Sequence, residues 1–304
     1  MKKHLFYKTL IVGTGLIGSS IARGLKNKKL SKIIIGYDKN KNNCKKCLDL
    51  KIIDSAINKL ESVKDVDLVI LCSPLSSYNR ILSKIIPLIK TSCIITDVGS
   101  TKVSVVKEFN NFIKNEFIEF VPGHPIAGIE KSGPEYGFAD LFKNRYCILT
   151  PKNKKKSGFK KVANMWKSLG MTIETMSPHH HDRVLAMTSH LPQLISYSIV
   201  ATSTELEGHM RNEVIKYSAS GLRDFTRLAG SDPIMWRDIY SLNKEAVIEM
   251  LGRFSEDLSN LQKAVRNDDK KMLEKIFRST RKMRKKIEKA GQAGTFDPTE
   301  SSTK

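Results

Sequence analysis

The chain lacks any stretch approaching the ~20 uninterrupted apolar residues that a membrane span needs. Its opening, MKKHLFYKTLIVGTG, runs straight into a strand-and-turn pattern without a small-residue cleavage site, so neither a membrane protein nor an exported one is expected. A cytoplasmic location is. Cysteine is sparse and odd in number: Cys44, Cys47, Cys72, Cys93 and Cys147 are scattered through apolar runs and one lysine-rich helix, which excludes a disulfide framework. Cys44 and Cys47 form a CxxC with no second ligand pair to complete four-coordination, so no metal site is expected. Acidic residues are also short, with 31 Asp and Glu against 52 Lys and Arg and a formal net charge of +21. Such an excess raises nucleic-acid binding, since clustered cations neutralise phosphates. The clusters, six lysines within 152–161 and seven basic residues within 278–289, lack interleaved aromatics for base stacking and follow no nucleic-acid module. They are read as solvated surface, which also suits an enzyme with anionic ligands.

At 304 residues two domains are expected. The first half alternates β-branched runs with helix-length amphipathic segments, the rhythm of a parallel sheet with crossover helices. Strands are expected at 9–12, 32–37, 67–72, 93–98, 117–121, 146–150 and 172–176, and helices at 16–26, 77–89, 102–113 and 157–169. Beyond Met176 the strand rhythm stops and helical periods run to about Lys289. The expected fold is a Rossmann-type, doubly wound α/β domain over 1–176, an all-α domain over 177–290, and a small polar tail over 291–304 that is expected to be disordered.

Gly13, Gly15 and Gly18 complete G-x-G-x-x-G after the first strand, with Leu16 and Ile17 in its variable positions. Glycines there permit a tight turn and close approach to a pyrophosphate, which the following helix N-terminus can hold. The second strand ends at Asp38, twenty residues beyond Gly18. A carboxylate at that spacing bonds a ribose 2′-hydroxyl and repels a 2′-phosphate, so NAD is expected over NADP; the alternative is that Asp38 only caps the next helix.

Ligands of an open parallel sheet bind beyond the carboxyl ends of its strands, which draws attention to Ser73-Pro74, to Ser100 after Asp97-Val98-Gly99, and to His124 within Pro122-Gly123-His124-Pro125. The glycine-rich run after His124 is expected to form a loop over the site. A neutral imidazole can accept a hydroxyl proton during hydride loss; the alternative for His124 is a ring bonding turn carbonyls. In the helical half, Ser189-His190-Leu191-Pro192-Gln193 places polar groups beside a proline that must kink its helix and suggests a ligand cavity. Arg223 and Arg227, four apart with Asp224 beside them, are expected to share a helix face, and an arginine fork suits a carboxylate; the alternative is an exposed charge ladder.

GTGLIGSS at 13–20, DVGSTK at 97–102, PGHPIAGIEKSG at 122–133, SHLPQ at 189–193 and SGLRDFTRLAGSDPIMWRD at 220–238 together resemble the prephenate/arogenate (cyclohexadienyl) dehydrogenase family, from about Lys8 to Ala293. The resemblance implies a helical half through which two subunits form a homodimer. It implies His124 as the catalytic histidine on the ring hydroxyl and Ser100 as the serine orienting both. Arg227 would recognise a substrate carboxylate, with Glu130 and Asp224 in the charged network around it, while Ser189, His181 and Gln193 would lie at the substrate. The implied reaction is NAD-dependent oxidative decarboxylation of prephenate, arogenate or both. Hydride leaves the carbinol carbon as the hydroxyl proton leaves; the resulting vinylogous β-keto acid loses carbon dioxide and becomes aromatic. Gln193 stands where prephenate-preferring relatives often carry histidine, and Ile129 replaces a threonine of some relatives. Two rivals are set against this reading: a β-hydroxyacid-type dehydrogenase, which relies on a second-domain lysine, and a non-catalytic basic dinucleotide- or nucleic-acid-binding module. No nucleic-acid or membrane partner is expected.

Overall fold

The computed structural model describes residues 4–90, 92–112, 118–129 and 131–290. Five of the apolar segments and one two-residue strand pair as one parallel sheet in the order β3-β2-β1-β4-β5-β6. Its strands are β1 (Phe6–Val12), β2 (Ser31–Tyr37), β3 (Ser55–Ala56), β4 (Leu68–Leu71), β5 (Ile94–Asp97) and β6 (Glu119–Val121). Helices α1 (Leu16–Asn27), α2 (Lys41–Asp49), α3 (Tyr78–Ile85) and α4 (Val103–Phe112) form the crossovers. The apolar cover explains why these strands read as continuous hydrophobic runs. One core gathers Ile11, Ile21, Leu25, Ile34 and Ile70 with Trp166, and the other Leu10, Val12, Val69, Leu71, Leu82 and Ile95 with Phe109. The order reverses between β1 and β4, the switch point where such sheets bind ligands.

The last two expected strands do not extend this sheet. At Pro122 the chain leaves β6, and β7 (Gly123–Pro125) pairs antiparallel with β8 (Arg145–Leu149), which pairs parallel with β9 (Met171–Thr175). Helix α5 (Ser157–Ser168) joins β8 to β9. Pro122 precedes the three-residue β7 and Pro125 ends it, and Thr150 N bonds Pro122 O at 2.9 Å to tie the second sheet to the exit from the first. His124 therefore stands on a strand, paired with Ile148, where a strand-end position under a loop was expected.

After β9 come α6 (Pro178–Leu185), α7 (Leu191–Thr204), α8 (Gly208–Lys216), α9 (Ser220–Thr226) and α10 (Pro233–Leu242). Ser177 starts α6, its Oγ accepting from His180 N at 3.2 Å. The expected kink at Pro192 takes another form: residues Ala186–His190 make a π-helical turn, and Pro192 lies in the first turn of α7. Proline has no N–H and its ring crowds the carbonyl four residues back, so the strain is taken up by a wider turn one step earlier. Pro178–Thr204 is a 27-residue helical run apolar enough by length and composition to cross a membrane. Its buried face carries His181, Asp182, His190 and Gln193, groups that are costly in lipid and are bonded to protein here.

By internal contacts the chain divides into two compact units, 1–247 and 248–304. α11 (Lys244–Arg266) passes the division, and α12 (Lys270–Lys289) follows in the second unit, started by the Asp269 side chain accepting from Met272 N at 2.9 Å. The second unit exposes Leu258, Val265, Phe277 and Met283.

Candidate active site

The glycine turn joins β1 to α1. Gly13 has φ of +96°, and a Cβ on it would sit 2.6 Å from the Cys72 carbonyl carbon, so both conformation and space demand glycine. A Cβ on Gly18 would lie 1.9 Å from Gly13 O. A Cβ on Gly15, by contrast, would meet nothing within 4 Å. Gly13 and Gly18 thus close the turn, while Gly15 leaves open space in front of the α1 N-terminus. No side chain caps that terminus, and its N–H groups face the opening. The arrangement fits the pyrophosphate of a dinucleotide. Leu16 and Ile17 start the helix half-buried, and Ile17 packs on the core.

Asp38 does more than either sequence reading expected. Its Oδ2 accepts from Thr14 N at 2.8 Å, Thr14 Oγ1 at 3.2 Å and Asn43 Nδ2 at 3.3 Å, while Oδ1 accepts from Asn40 N at 2.8 Å. The cap of α2 is Asn40, whose side chain accepts from Asn42 N, so Asp38 clamps the glycine turn from the end of β2. With three bonds on one oxygen, Oδ1 retains the capacity for a ribose hydroxyl. Asp38→Ser is therefore expected to cost twice, raising the dissociation constant for NADH by roughly tenfold and narrowing the preference over NADPH. Titration with both reduced cofactors checks this; an unchanged ratio would remove Asp38 from the ribose.

Ser73 and Pro74 follow β4; Ser77 Oγ donates to Pro74 O at 2.6 Å and lies 2.9 Å from Ser73 Oγ. At the end of β5 lies a buried hub. Asp97 Oδ1 accepts from Gly123 N at 3.0 Å, and Oδ2 from Gly99 N at 2.9 Å and from the Lys102 ammonium. Both side chains of this ion pair are fully buried. Ser100, half-buried, lies between the two partners in sequence.

The bond from Gly123 to Asp97 sets His124 at this edge. His124 Nδ1 lies 2.9 Å from His181 Nε2, and His181 Nδ1 lies 2.7 Å from Asp182 Oδ1. Asp182 also accepts from Lys102 N at 2.7 Å and Val103 N at 2.9 Å, capping α4 from α6. Burial pushes the His124 imidazole well below its usual 6.5, and charge on His181, Lys102 or His190 would push the same way. His181 is lowered by burial too, against the opposing bond to Asp182. His190 is pushed down to about 4, mainly by burial; its Nδ1 faces Asn243 Nδ2 at 3.1 Å, and that amide also donates to Asp182 O at 2.9 Å. No hydrogen bond is made to His124 Nε2 among the described residues.

The expected substrate residues divide. His181 is wholly buried behind His124 with both ring nitrogens engaged, which corrects its expected place against the substrate. Gln193 is buried too, its amide donating one N–H to Leu228 O at 2.7 Å and so holding the turn after Arg227. Ser189 is half-buried within the π turn. Arg223 and Arg227 do not share one α-helical face: α9 ends at Thr226, and Arg227 opens a 3₁₀ turn to Gly230. Arg227 and Asp224 are exposed in the single chain. Glu130 lies outside the described residues. The residues missed in sequence are Asp97, Lys102 and Asp182, and the one available signal was an acid and a lysine five residues apart at the end of an apolar strand.

A dinucleotide cradle at the sheet's switch point, with a neutral buried histidine at the neighbouring strand ends, defines the class: an oxidoreductase built on a nucleotide-binding fold. Residues 21–175 match the family described as "Prephenate dehydrogenase, nucleotide-binding domain", and residues 177–279 match "Prephenate dehydrogenase, dimerization domain". The chain is 36% identical to the cyclohexadienyl dehydrogenase of Zymomonas mobilis over 92% of this chain and 96% of that one. It is 35% identical, with a TM-score of 0.86, to prephenate dehydrogenase from Aquifex aeolicus in complex with hydroxyphenyl propionate and NAD+, covering 92% of this chain and 98% of that chain. Arogenate dehydrogenase from Synechocystis is similar at 26% identity and a TM-score of 0.78, over 92% and 99% of the two chains. The chain belongs to the prephenate dehydrogenase family.

Proposed function

We propose that the chain catalyses NAD-dependent oxidative decarboxylation of prephenate, arogenate or both. The observation that carries the reading is the His124 ring, held neutral at the carboxyl edge of the sheet with Nδ1 engaged and Nε2 without a partner among the described residues. Gly13, Gly15 and Gly18 would hold the pyrophosphate and Asp38 the ribose. Bound NAD supplies the hydride acceptor. His124 Nε2 takes the proton of the ring hydroxyl as hydride departs from the carbon bearing it, and Ser100, at the end of the adjacent strand, orients the two. The dienone so formed loses carbon dioxide to aromatise, which draws the reaction forward.

Arg227 serves the ring carboxylate that prephenate and arogenate share, with Asp224 close by in the chain, and Ser189 lines the site from the π turn. Arg227→Ala is expected to lower kcat/KM by about 2 kcal/mol, roughly 30-fold, with either substrate, since a charge-assisted bond is lost at a solvent-accessible site. The assay follows reduced cofactor with NAD and each acid. No reduction with either, beside nucleic-acid binding that falls steeply with salt, would replace the enzymatic reading by the binding one.

The active species is read as a cytoplasmic homodimer. Five free cysteines suit a reducing compartment, and Ile215, Tyr217, Phe225, Ile234 and Met235 are exposed in the single chain along the segment matched by the dimerization domain.

A further inference from the structure

The hydrogen bonds behind His124 have a direction. Asp182 is the fixed end, because its two oxygens take N–H donors from Lys102, Val103 and His181. A carboxylate so filled offers only lone pairs, which places the His181 proton on Nδ1 and leaves its Nε2 as an acceptor. Burial keeps both rings neutral, with one ring proton each. Across the 2.9 Å contact only an N–H can face His181 Nε2, so the His124 proton sits on Nδ1 and its Nε2 is a lone pair.

We propose that His181 and Asp182 are positioning residues that fix this tautomer of His124 and thereby aim a proton-accepting nitrogen at the substrate hydroxyl. The proposal rests on the reading of His124 as the base. Charge supports it as well as geometry. The groups facing His124 are Asp97 and Lys102 from the β5 end, Asp182 and neutral His181 from α6, neutral His190 from the π turn, and the Cys147 thiol on β8, which burial pushes up. Lys102 is ion-paired with Asp97, though its charge still lowers the His124 pKa. Asp182 is left as one carboxylate in excess, reaching His124 through the His181 ring. When the O–H bond breaks, its proton forms Nε2–H and its electron pair forms the carbonyl, while the C–H pair leaves as hydride to NAD. His124 becomes an imidazolium, and that excess carboxylate offsets it.

Nitrogen-15 NMR of histidine rings in the full-length protein at neutral pH tests the arrangement directly, with His124 assigned by the signal lost in His124→Asn. Both His124 and His181 are expected as Nδ1–H tautomers with unprotonated Nε2. In Asp182→Asn an amide N–H can face His181, reversing both tautomers and blocking the His124 lone pair; kcat is expected to fall ~10³–10⁴-fold with NADH affinity retained. His181→Leu removes the acceptor for His124. His181→Gln restores an amide oxygen near the position of Nε2 and is expected to recover about tenfold in kcat over leucine. This pair carries the test if Asp182→Asn does not fold. An Nε2–H tautomer of His124 in the unmutated chain, or a glutamine variant no faster than the leucine variant, would overturn the proposal. A chain that shows the expected tautomers yet reduces NAD with neither acid would instead overturn the activity, and with it any catalytic role for the pair.

Discussion

His124→Asn is expected to lower the rate of the chemical step by ~10²–10⁴-fold while leaving NAD binding nearly intact, because it removes a proton acceptor and not a wall of the dinucleotide cradle. Asparagine can still donate toward His181, so the fold behind it is retained. The pH profile follows from the direction of the shift. On the proposed role the neutral ring is the working form; burial holds the His124 pKa well below 6.5, so kcat/KM should stay flat through neutrality and fall only as pH drops through that lowered value. A free histidine would place the limb near 6.5. The sign for stability is the same: His124, His181 and His190 all have lowered folded pKa values, so their contribution is complete above 6.5 and lost as pH falls toward about 4, where His190 charges. Stopped-flow cofactor reduction and thermal melts across that window check both. A nearly normal rate in His124→Asn would return the ring to a structural role.

Lys102→Met is expected to destabilise the protein by ~3–5 kcal/mol, since it leaves Asp97 charged and buried without its cation. Set against total stabilities of about 5–15 kcal/mol, that is a large share, and it should show as a marked drop in Tm and denaturant midpoint. Gly99 N, Gly123 N and the Tyr78 hydroxyl, 3.4 Å away, still reach Asp97, but none carries charge. Adding Asp97→Asn should recover part of the loss, because a neutral amide oxygen can still accept from Gly123 N. A Lys102→Met protein as stable as the parent would show that the backbone donors alone sustain the carboxylate.

Strands whose two faces are covered read as unbroken apolar runs, which is why β1, β2, β4, β5 and β6 were legible from residue type alone. β3 was not: at two residues, Ser55–Ala56, it has no period to read. β7 was hidden for a related reason, since Gly123–Pro125 becomes a strand only by pairing with β8, which lies over twenty residues on. The glycine motif was legible because its spacing encodes a backbone shape. The histidines were harder. In His179-His180-His181-Asp182 the first two rings are exposed and the third is buried, and nothing local distinguishes them before the register of α6 is known. Gln193 was placed at the substrate by the family resemblance; that its amide is held by Leu228 O, 35 residues away, is a contact no local pattern announces.

Asp182 caps a helix that begins 79 residues earlier in the chain. The nucleotide-binding half cannot therefore finish its own working edge. During synthesis the first N–H groups of α4 must wait, bonded to water, until the start of the helical half has emerged and folded back, a long-range closure of the kind that slows folding. The same dependence limits how the halves can be exchanged between relatives. A chimera that keeps this chain through Met176 and takes a foreign helical half would retain the cradle for the dinucleotide. Unless the graft brought its own histidine and carboxylate in the same register, His124 would arrive without a fixed proton.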